Sequence, residues 1–261
     1  SREYPLITSR SQAGANGLIM RALLLAAGYG TRLRPITNSI PKCLVEINGR
    51  PLLDHWIELL SKGGIVDILI NLHYLPEAVR SYLDNCDFSL NIMTVYEETL
   101  MGTGGTLLRN RDYFKNEPLM LIHADNLSLF DMSAFIQRYE KREAGIEMTM
   151  MTFTATEPEL CGIVEVDERG IVKKFFEKVE NPPGNLANGA VYILAPSVMN
   201  FLISLNSKVI DFSTEVLPHF LGRINSFHND IYHRDIGTAE SLRFAQHEYP
   251  VAVAKHGLSS C

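Results

Sequence analysis

Leu23-Leu24-Leu25-Ala26-Ala27-Gly28-Tyr29-Gly30-Thr31-Arg32-Leu33-Arg34-Pro35, closed by Pro41-Lys42, is the stretch whose reading decides the fold. An apolar run, read as a strand over 21–27, enters a small loop bearing two glycines. That loop gathers Arg32, Arg34 and Lys42, with no Asp or Glu between Gly28 and Lys42, in a chain of net charge −6. Cations and free backbone N–H groups concentrated at a strand end point to a phosphate cradle, while the two glycines taken alone also fit a plain structural turn. Gly28 and Gly30 let the backbone approach a ligand closely and take positive φ. The spacing is neither a P-loop nor a dinucleotide fingerprint, since Leu33 stands where the third glycine of the latter belongs.

Working outward, strand and helix patterns alternate. Apolar residues at 52, 53, 56, 57, 59 and 60 form a helical stripe ended by Gly63-Gly64. Strands follow over 65–72, 90–95 and 119–123, with helices over 77–83 and 103–110. A helix over 132–143 and a Met- and Thr-rich strand over 147–154 complete this part. The alternation predicts an α/β fold: a Rossmann-like, mostly parallel sheet flanked by helices on both faces. Ligands of such sheets lie beyond the strand C-termini, where both the glycine loop and Asp125 fall. After about residue 155 the texture changes to a small β subregion. Short strands over 162–166 and 171–176 flank the turn Asp167-Glu168-Arg169-Gly170, and a further strand spans 190–194. Helices over 198–205 and 213–221, a strand over 231–236 and a helix from 239 to about 248 end the pattern. No internal repeat is present.

With 261 residues, 46% hydrophobic and 21% charged, the chain is of ordinary globular composition and can bury a sizeable core. The mild acidity argues against nucleic acid as a partner. No apolar run reaches the roughly 18 residues of a membrane span. Cys43, Cys86, Cys161 and Cys261 lack Cys-x-x-Cys spacing, which reads as free thiols in a reducing cytoplasm. Residues 1–19 read as a leader or disordered extension with Met20 as a natural start. The expected organisation is therefore a leader over 1–19, one catalytic domain over 20–249 and a tail over 250–261. A homo-oligomer is compatible with it.

The complete string is more specific than its glycines. Leu25-Ala26-Ala27-Gly28-Tyr29-Gly30-Thr31-Arg32-Leu33-Arg34-Pro35, then Pro41-Lys42, then Asn48-Gly49-Arg50-Pro51-Leu52-Leu53, resembles the sugar-1-phosphate nucleotidyltransferases, also called sugar-nucleotide pyrophosphorylases. Gly102-Thr103-Gly104-Gly105, Phe176-Glu177-Lys178, Asn185-Leu186-Ala187-Asn188-Gly189-Ala190 and Asp235-Ile236-Gly237-Thr238 resemble further motifs of that family, in its order. The resemblance covers about Met20 to Glu248. It implies the family's GT-A-like fold and a reaction in which a sugar 1-phosphate attacks the α-phosphorus of a nucleoside triphosphate (NTP), releasing pyrophosphate. By the same resemblance Ala26, Ala27, Gly28, Gly30, Thr31, Gly102 and Thr103 contact the nucleotide. Arg32 and Lys42 stabilise the triphosphate, and Lys178 holds the sugar phosphate. Gly162, Glu177 and Asn188 line the sugar pocket, and Asp125 and Asp235 hold Mg²⁺. The family commonly has glycine where this chain has Ala124. Read from the residues alone, Asp125 and Asp235 also fit as turn or helix caps, Glu177-Lys178 as a solvated pair, and Asn188 as a turn residue. His123 reads as a structural histidine, and Met148, Met150, Met151 and Trp56 as core.

The base has one physical clue. Glu97 and Glu98 precede Gly102, and an ionised carboxylate only accepts hydrogen bonds. Guanine presents two adjacent donors, whereas uracil and thymine present one donor between acceptors; cytosine stays open through its N4 amino group, and Glu97-Glu98 also fits two acids in a solvated loop. This favours GTP, with mannose 1-phosphate or a manno-heptose 1-phosphate as acceptor. The alternatives are a UTP- or dTTP-dependent enzyme, a cytidylyltransferase acting on a non-sugar phosphate such as phosphocholine, a metal-dependent glycosyltransferase, and a non-catalytic nucleotide-sugar sensor. An aromatic cage for a quaternary ammonium would mark the second of these, and only Tyr192 is offered for one. An Asp-x-Asp pair would mark the glycosyltransferase, and Asp125 is followed by Asn126-Leu127.

Overall fold

Alternating side chains on each central strand feed two apolar layers, one on either face of a sheet. Ala22 and Leu24 enter one layer and Leu23 the other; Ile68 and Ile70 oppose Leu69, and Met120 and Ile122 oppose Leu121. Burying each such Leu or Ile contributes roughly 1.5–3 kcal/mol relative to exposure. A slip of one residue would reverse every one of them, so the register is strongly specified. The computed structural model of the chain describes residues 20–256. The expected leader over 1–19 and the last residues of the expected tail lie outside the described residues.

In chain order the elements are β1 (Arg21–Leu25), the hairpin β2 (Glu46–Ile47) and β3 (Arg50–Pro51), α1 (Leu52–Lys62), β4 (Asp67–Leu72), α2 (Pro76–Asp84) and β5 (Asn91–Tyr96). Then come α3 (Gly102–Arg109), α4 (Arg111–Phe114), β6 (Leu119–His123), β7 (Asn126–Leu129), α5 (Met132–Glu140) and β8 (Met148–Thr154). The remainder is β9 (Gly162–Val166), β10 (Val172–Glu177), β11 (Leu186–Leu194), α6 (Pro196–Ser204), β12 (Ile224–His228), β13 (Tyr232–Asp235) and α7 (Ala239–His256).

The main sheet runs β10-β9-β11-β6-β1-β4-β5, with β8 branching from β11 and β12 pairing with β8. β6, β1, β4 and β5 are mutually parallel, in the registers Leu25↔His123, Leu25↔Asn71 and Leu72↔Tyr96. Their C-terminal ends therefore form one edge. β11 runs antiparallel to β6 and β8, and β9 and β10 form the expected hairpin. The α/β expectation holds for the first part of the chain, and the later strands make the sheet mixed. Met148, Met150, Met151 and Trp56 are core residues, as their patterns suggest.

Several elements depart from the sequence reading. β7 and β12 were not expected: Asn126-Leu-Ser-Leu and Ile224-Asn-Ser-Phe-His are short, half polar, and become strands by pairing with β13 and β8. The predicted helix over 213–221 is a wide turn over Phe212–Val216 followed by a tight one over Leu217–Phe220, because Pro218 lacks an amide donor. β11 begins at Leu186 rather than 190. β13 joins β7 in a separate two-stranded sheet. α7 continues through Pro250 to His256, into the span expected to be tail.

Candidate active site

The aligned strand ends carry the candidate residues. After β1, the Ala26 amide donates to Asn71 Oδ1 at 2.8 Å, fastening the loop to the end of β4. Gly30 has φ of 61°, and a Cβ there would lie 2.9 Å from the Thr37 methyl and 3.3 Å from Lys42 Cβ, so the position demands glycine. Thr37 Oγ1 donates to the Gly30 carbonyl at 2.6 Å. Short turns over Thr31–Leu33, Ile36–Asn38 and Lys42–Leu44 fold the segment back on itself. The turns return Lys42 to the strand edge with only 7% of its surface exposed. A buried ammonium must be paired. Lys42 Nζ donates to Asp125 Oδ2 at 2.9 Å and stands 3.5 Å from Asp235 Oδ1. Arg32 Nη2 lies 3.5 Å from Asp235 Oδ2 on the open side.

β7 and β13 explain how two distant aspartates meet. Asn126 pairs with Asp235 in the ladder, and the Ile236 amide donates to the Asp125 carbonyl at 3.1 Å. Trp56 Nε1 donates to the Asn126 carbonyl at 2.7 Å, tying this corner to α1. Partial burial opposes the Asp125 charge, but the Lys42 ammonium outweighs it and holds the carboxyl below the usual carboxylate range. Asp125 is thus ionised at neutral pH. Among the described residues no three His, Cys, Asp or Glu side chains converge into a metal cage. Two carboxylates sharing one cation nevertheless match the donor set of Mg²⁺, which takes one or two carboxylates and fills its other positions with phosphate and water.

Beside this corner is a cavity of about 230 Å³ lined by Ala26, Ala27, Gly28, Lys42, Asn71, Glu97, Gly102, Thr103, Thr106, His123 and Asp125, among others. Glu97 is fully buried, and both its carboxylate oxygens lack a protein partner, whereas Glu98 is exposed. The structure thereby separates the two glutamates. Gly102 has φ of 72°, and a Cβ there would collide with the Ile210 carbonyl. The Gly104 and Gly105 amides donate to that carbonyl at 2.9 and 3.2 Å. Thr103 Oγ1 accepts from the Phe212 amide at 2.9 Å, so its hydroxyl retains its proton for a ligand. His123 is half-buried with Nε2 unpartnered, and burial pushes its pKa down, leaving a neutral imidazole on the cavity floor.

The expected sugar residues lie on β9 to β11, outside that cavity. Gly162 pairs with Glu177, and a Cβ at Gly162 would stand 2.9 Å from Glu177 Oε2 and closer still to the Phe175 ring. Lys178 is exposed with φ of 48°, and its Nζ lies 3.6 Å from Glu177 Oε1. Asn188 has an internal role. Its Nδ2 donates to Tyr192 Oη at 2.6 Å and its Oδ1 accepts from the Ala190 amide at 2.9 Å, holding the bulge where Ala190 takes φ of 53°. Thr31 sits on an exposed turn rather than in the cavity. Asn71, Thr106 and His73, which binds the Glu97 carbonyl, escaped the sequence reading. Polar residues closing an apolar strand, as in Asn71-Leu72-His73, were the available signal.

The family model described as Nucleotidyl transferase matches residues 21–250. "Probable mannose-1-phosphate guanylyltransferase 3" of Oryza sativa subsp. japonica is 35% identical over 205 residues, 76% of this chain and 55% of that protein. "Mannose-1-phosphate guanyltransferase" of Schizosaccharomyces pombe is 29% identical over 248 residues, 91% of this chain and 66% of that protein. The chain spans about half the length of the curated relatives it matches. A solved UDP-glucose pyrophosphorylase complexed with UDP-glucose superposes with a TM-score of 0.76 at 22% identity, covering 90% of this chain and 99% of that one. That likeness establishes the fold.

Proposed function

The chain belongs to the nucleotidyl transferase family, and on that premise we propose that it transfers the GMP unit of GTP to mannose 1-phosphate or a manno-heptose 1-phosphate. A phosphate oxygen of the sugar attacks the α-phosphorus, the bond to the β-phosphate bridging oxygen breaks, and pyrophosphate leaves. The observation that carries the choice of base is the Glu97 carboxylate, buried in the cavity with both oxygens unpartnered. A buried carboxylate without donors is costly. Guanine N1–H and its N2 amino group offer two adjacent donors that fit the two oxygens. Uracil and thymine would set carbonyl oxygens against the same carboxylate. The names and similarity of the mannose-1-phosphate relatives support the sugar.

The protein's part is positioning and charge neutralisation. Gly28 and the Thr31 turn present backbone amides to the triphosphate, and Arg32 and Lys42 offset its charge. Lys178 holds the attacking sugar phosphate, beside Glu177 for the sugar hydroxyls. Asp125 and Asp235 would hold Mg²⁺, which, when bound, neutralises phosphate oxygens and orients them. Lys42 keeps the two carboxylates from repelling each other and shares its charge with the arriving phosphate. We take the compartment to be the cytoplasm, in keeping with thiols that lack disulfide or zinc spacing. No helix among the described residues is long and apolar enough to cross a membrane.

The test incubates the protein with GTP, mannose 1-phosphate and Mg²⁺, and follows pyrophosphate together with the mass of the product. GDP-mannose is expected. Product from CTP and phosphocholine in its place would overturn the reading.

A further inference from the structure

Glu97 lies one residue beyond β5, past the last rung of the β4–β5 ladder at Leu72↔Tyr96. Its amide still donates to the Leu72 carbonyl at 2.9 Å. Its own carbonyl is taken by a side chain: His73 Nδ1 lies 2.7 Å away. A carbonyl only accepts, so Nδ1 carries a proton. At 2.6 Å from Nε2 stands the hydroxyl of Tyr29, at the tip of the glycine loop between Gly28 and Gly30. The relay therefore links Tyr29 Oη through the imidazole to the Glu97 carbonyl, which accepts from Nδ1–H. Two partly exposed rings flank it: Tyr29 meets His73 edge-on at 5.0 Å, and Tyr96 lies nearly parallel to His73 at 6.4 Å. Tyr74, whose ring centre is 5.7 Å from that of Tyr29, donates to the Thr37 carbonyl at 2.9 Å and fixes the far side of the loop.

We propose that His73 is a positioning residue for base recognition, joining the phosphate loop at Tyr29 to the Glu97 peptide so that the Glu97 carboxylate is held in register to read the base. The imidazole replaces the missing ladder rung on one side and clamps the loop tip on the other. The proposal rests on the function given above. Its consequence is that base discrimination depends on a side chain that does not touch the base, and that the loop and Glu97 respond to a nucleotide as one unit.

The experiment compares wild type, His73→Phe, His73→Asn and Tyr29→Phe. Phe keeps the ring and loses both hydrogen bonds; Asn places an amide N–H near the position of Nδ1–H and loses only the link to Tyr29. The measurements are kcat and KM for four NTPs, KM for the sugar 1-phosphate, Kd for GTP by calorimetry, and Tm. For His73→Phe we expect the ratio of kcat/KM between the best and worst NTP to fall about tenfold, the scale of one lost hydrogen bond. GTP binding should weaken by a similar factor, with the sugar 1-phosphate KM unchanged. His73→Asn, which keeps the bond to the Glu97 carbonyl, should restore part of the discrimination, and Tyr29→Phe, which breaks the same link from the loop side, should lower it to a similar extent while raising the NTP KM. A His73→Phe enzyme that melts earlier yet keeps its base ratio and its GTP Kd would overturn the proposal, because His73 would then be structural only. A wild type that prefers another NTP would overturn the guanine assignment and not the relay, since the ratio is taken between whichever bases are best and worst. A wild type that binds no NTP would overturn both.

Discussion

Replacing Glu97 by glutamine tests the contact with the base that we propose for it. The side chain keeps its length and shape, but one acceptor oxygen becomes an amino group. In the cavity neither carboxylate oxygen has a protein partner and the residue is fully buried, so no protein group offsets the change. With guanine, one charge-assisted hydrogen bond disappears, worth roughly 1.5–3 kcal/mol, and a donor is set against a donor. Taking about 3 kcal/mol for the two effects together, kcat/KM for GTP should fall about 10²-fold, at 1.4 kcal/mol per tenfold. With uracil or thymine the new pair is complementary: the amide oxygen accepts from N3–H and the amino group donates to a carbonyl. Turnover of UTP or dTTP should therefore rise as that of GTP falls. The assay is pyrophosphate release at saturating sugar 1-phosphate, with a thermal melt to show that the variant is folded. Glu98→Gln is the control, since that side chain is exposed. If Glu97→Gln turned over GTP like the wild type with no gain for UTP or dTTP, the assignment of Glu97 to the base would be refuted.

Asp125→Ala should stay folded and lose about 10²-fold or more in kcat, the scale set by removing one preorganised electrostatic contact; an active Asp125→Ala enzyme would rule out this carboxylate as a metal ligand. Trp56→Phe leaves the buried Asn126 carbonyl without its donor, at a cost of about 1–3 kcal/mol read by urea unfolding. Because the same bond steadies the corner beside Asp125, kcat should fall while the KM of either substrate holds. Burial pushes the pKa of His233 down to about 3, so the folded protein keeps a neutral ring that the unfolded chain protonates below about 6.5. This term is fully present above pH 6.5 and is lost as pH falls, by about 2 kcal/mol between pH 6.5 and 5. Thermal melts at the two pH values should show the loss, and His233→Gln should flatten the difference.

The central strands were legible because β1, β4 and β6 are apolar on both faces, and the motif was legible because its glycines and cations stand in a long string followed by further motifs in order, whereas the glycines alone also fit a plain turn. What the sequence did not reveal is made by pairing across distance. β7 is four residues with two polar members, and it is a strand only because β13 lies beside it. That pairing is what carries Asp235 to Asp125, so the two carboxylates could be paired only through resemblance. Choosing between Glu97 and Glu98 needed the end of β5, where the pleat turns one inward and the other out. Asn188 was assigned to the sugar by family pattern, whereas its side chain holds a bulge that no local spacing announces. His73 stood out only as a polar residue just past an apolar strand, and its role was hidden for a related reason. Its partners, Tyr29 and the Glu97 carbonyl, come from two other strand ends, and a backbone acceptor leaves no mark on a sequence.

The central claim is that a buried carboxylate at the strand edge selects guanine for transfer to a sugar 1-phosphate. It is tested most directly by kcat/KM of the wild-type protein for GTP, UTP, dTTP and CTP, with mannose 1-phosphate and Mg²⁺ held constant. GTP is predicted to lead by at least about tenfold, the equivalent of one hydrogen bond to the carboxylate. A lead for UTP or dTTP would contradict the account.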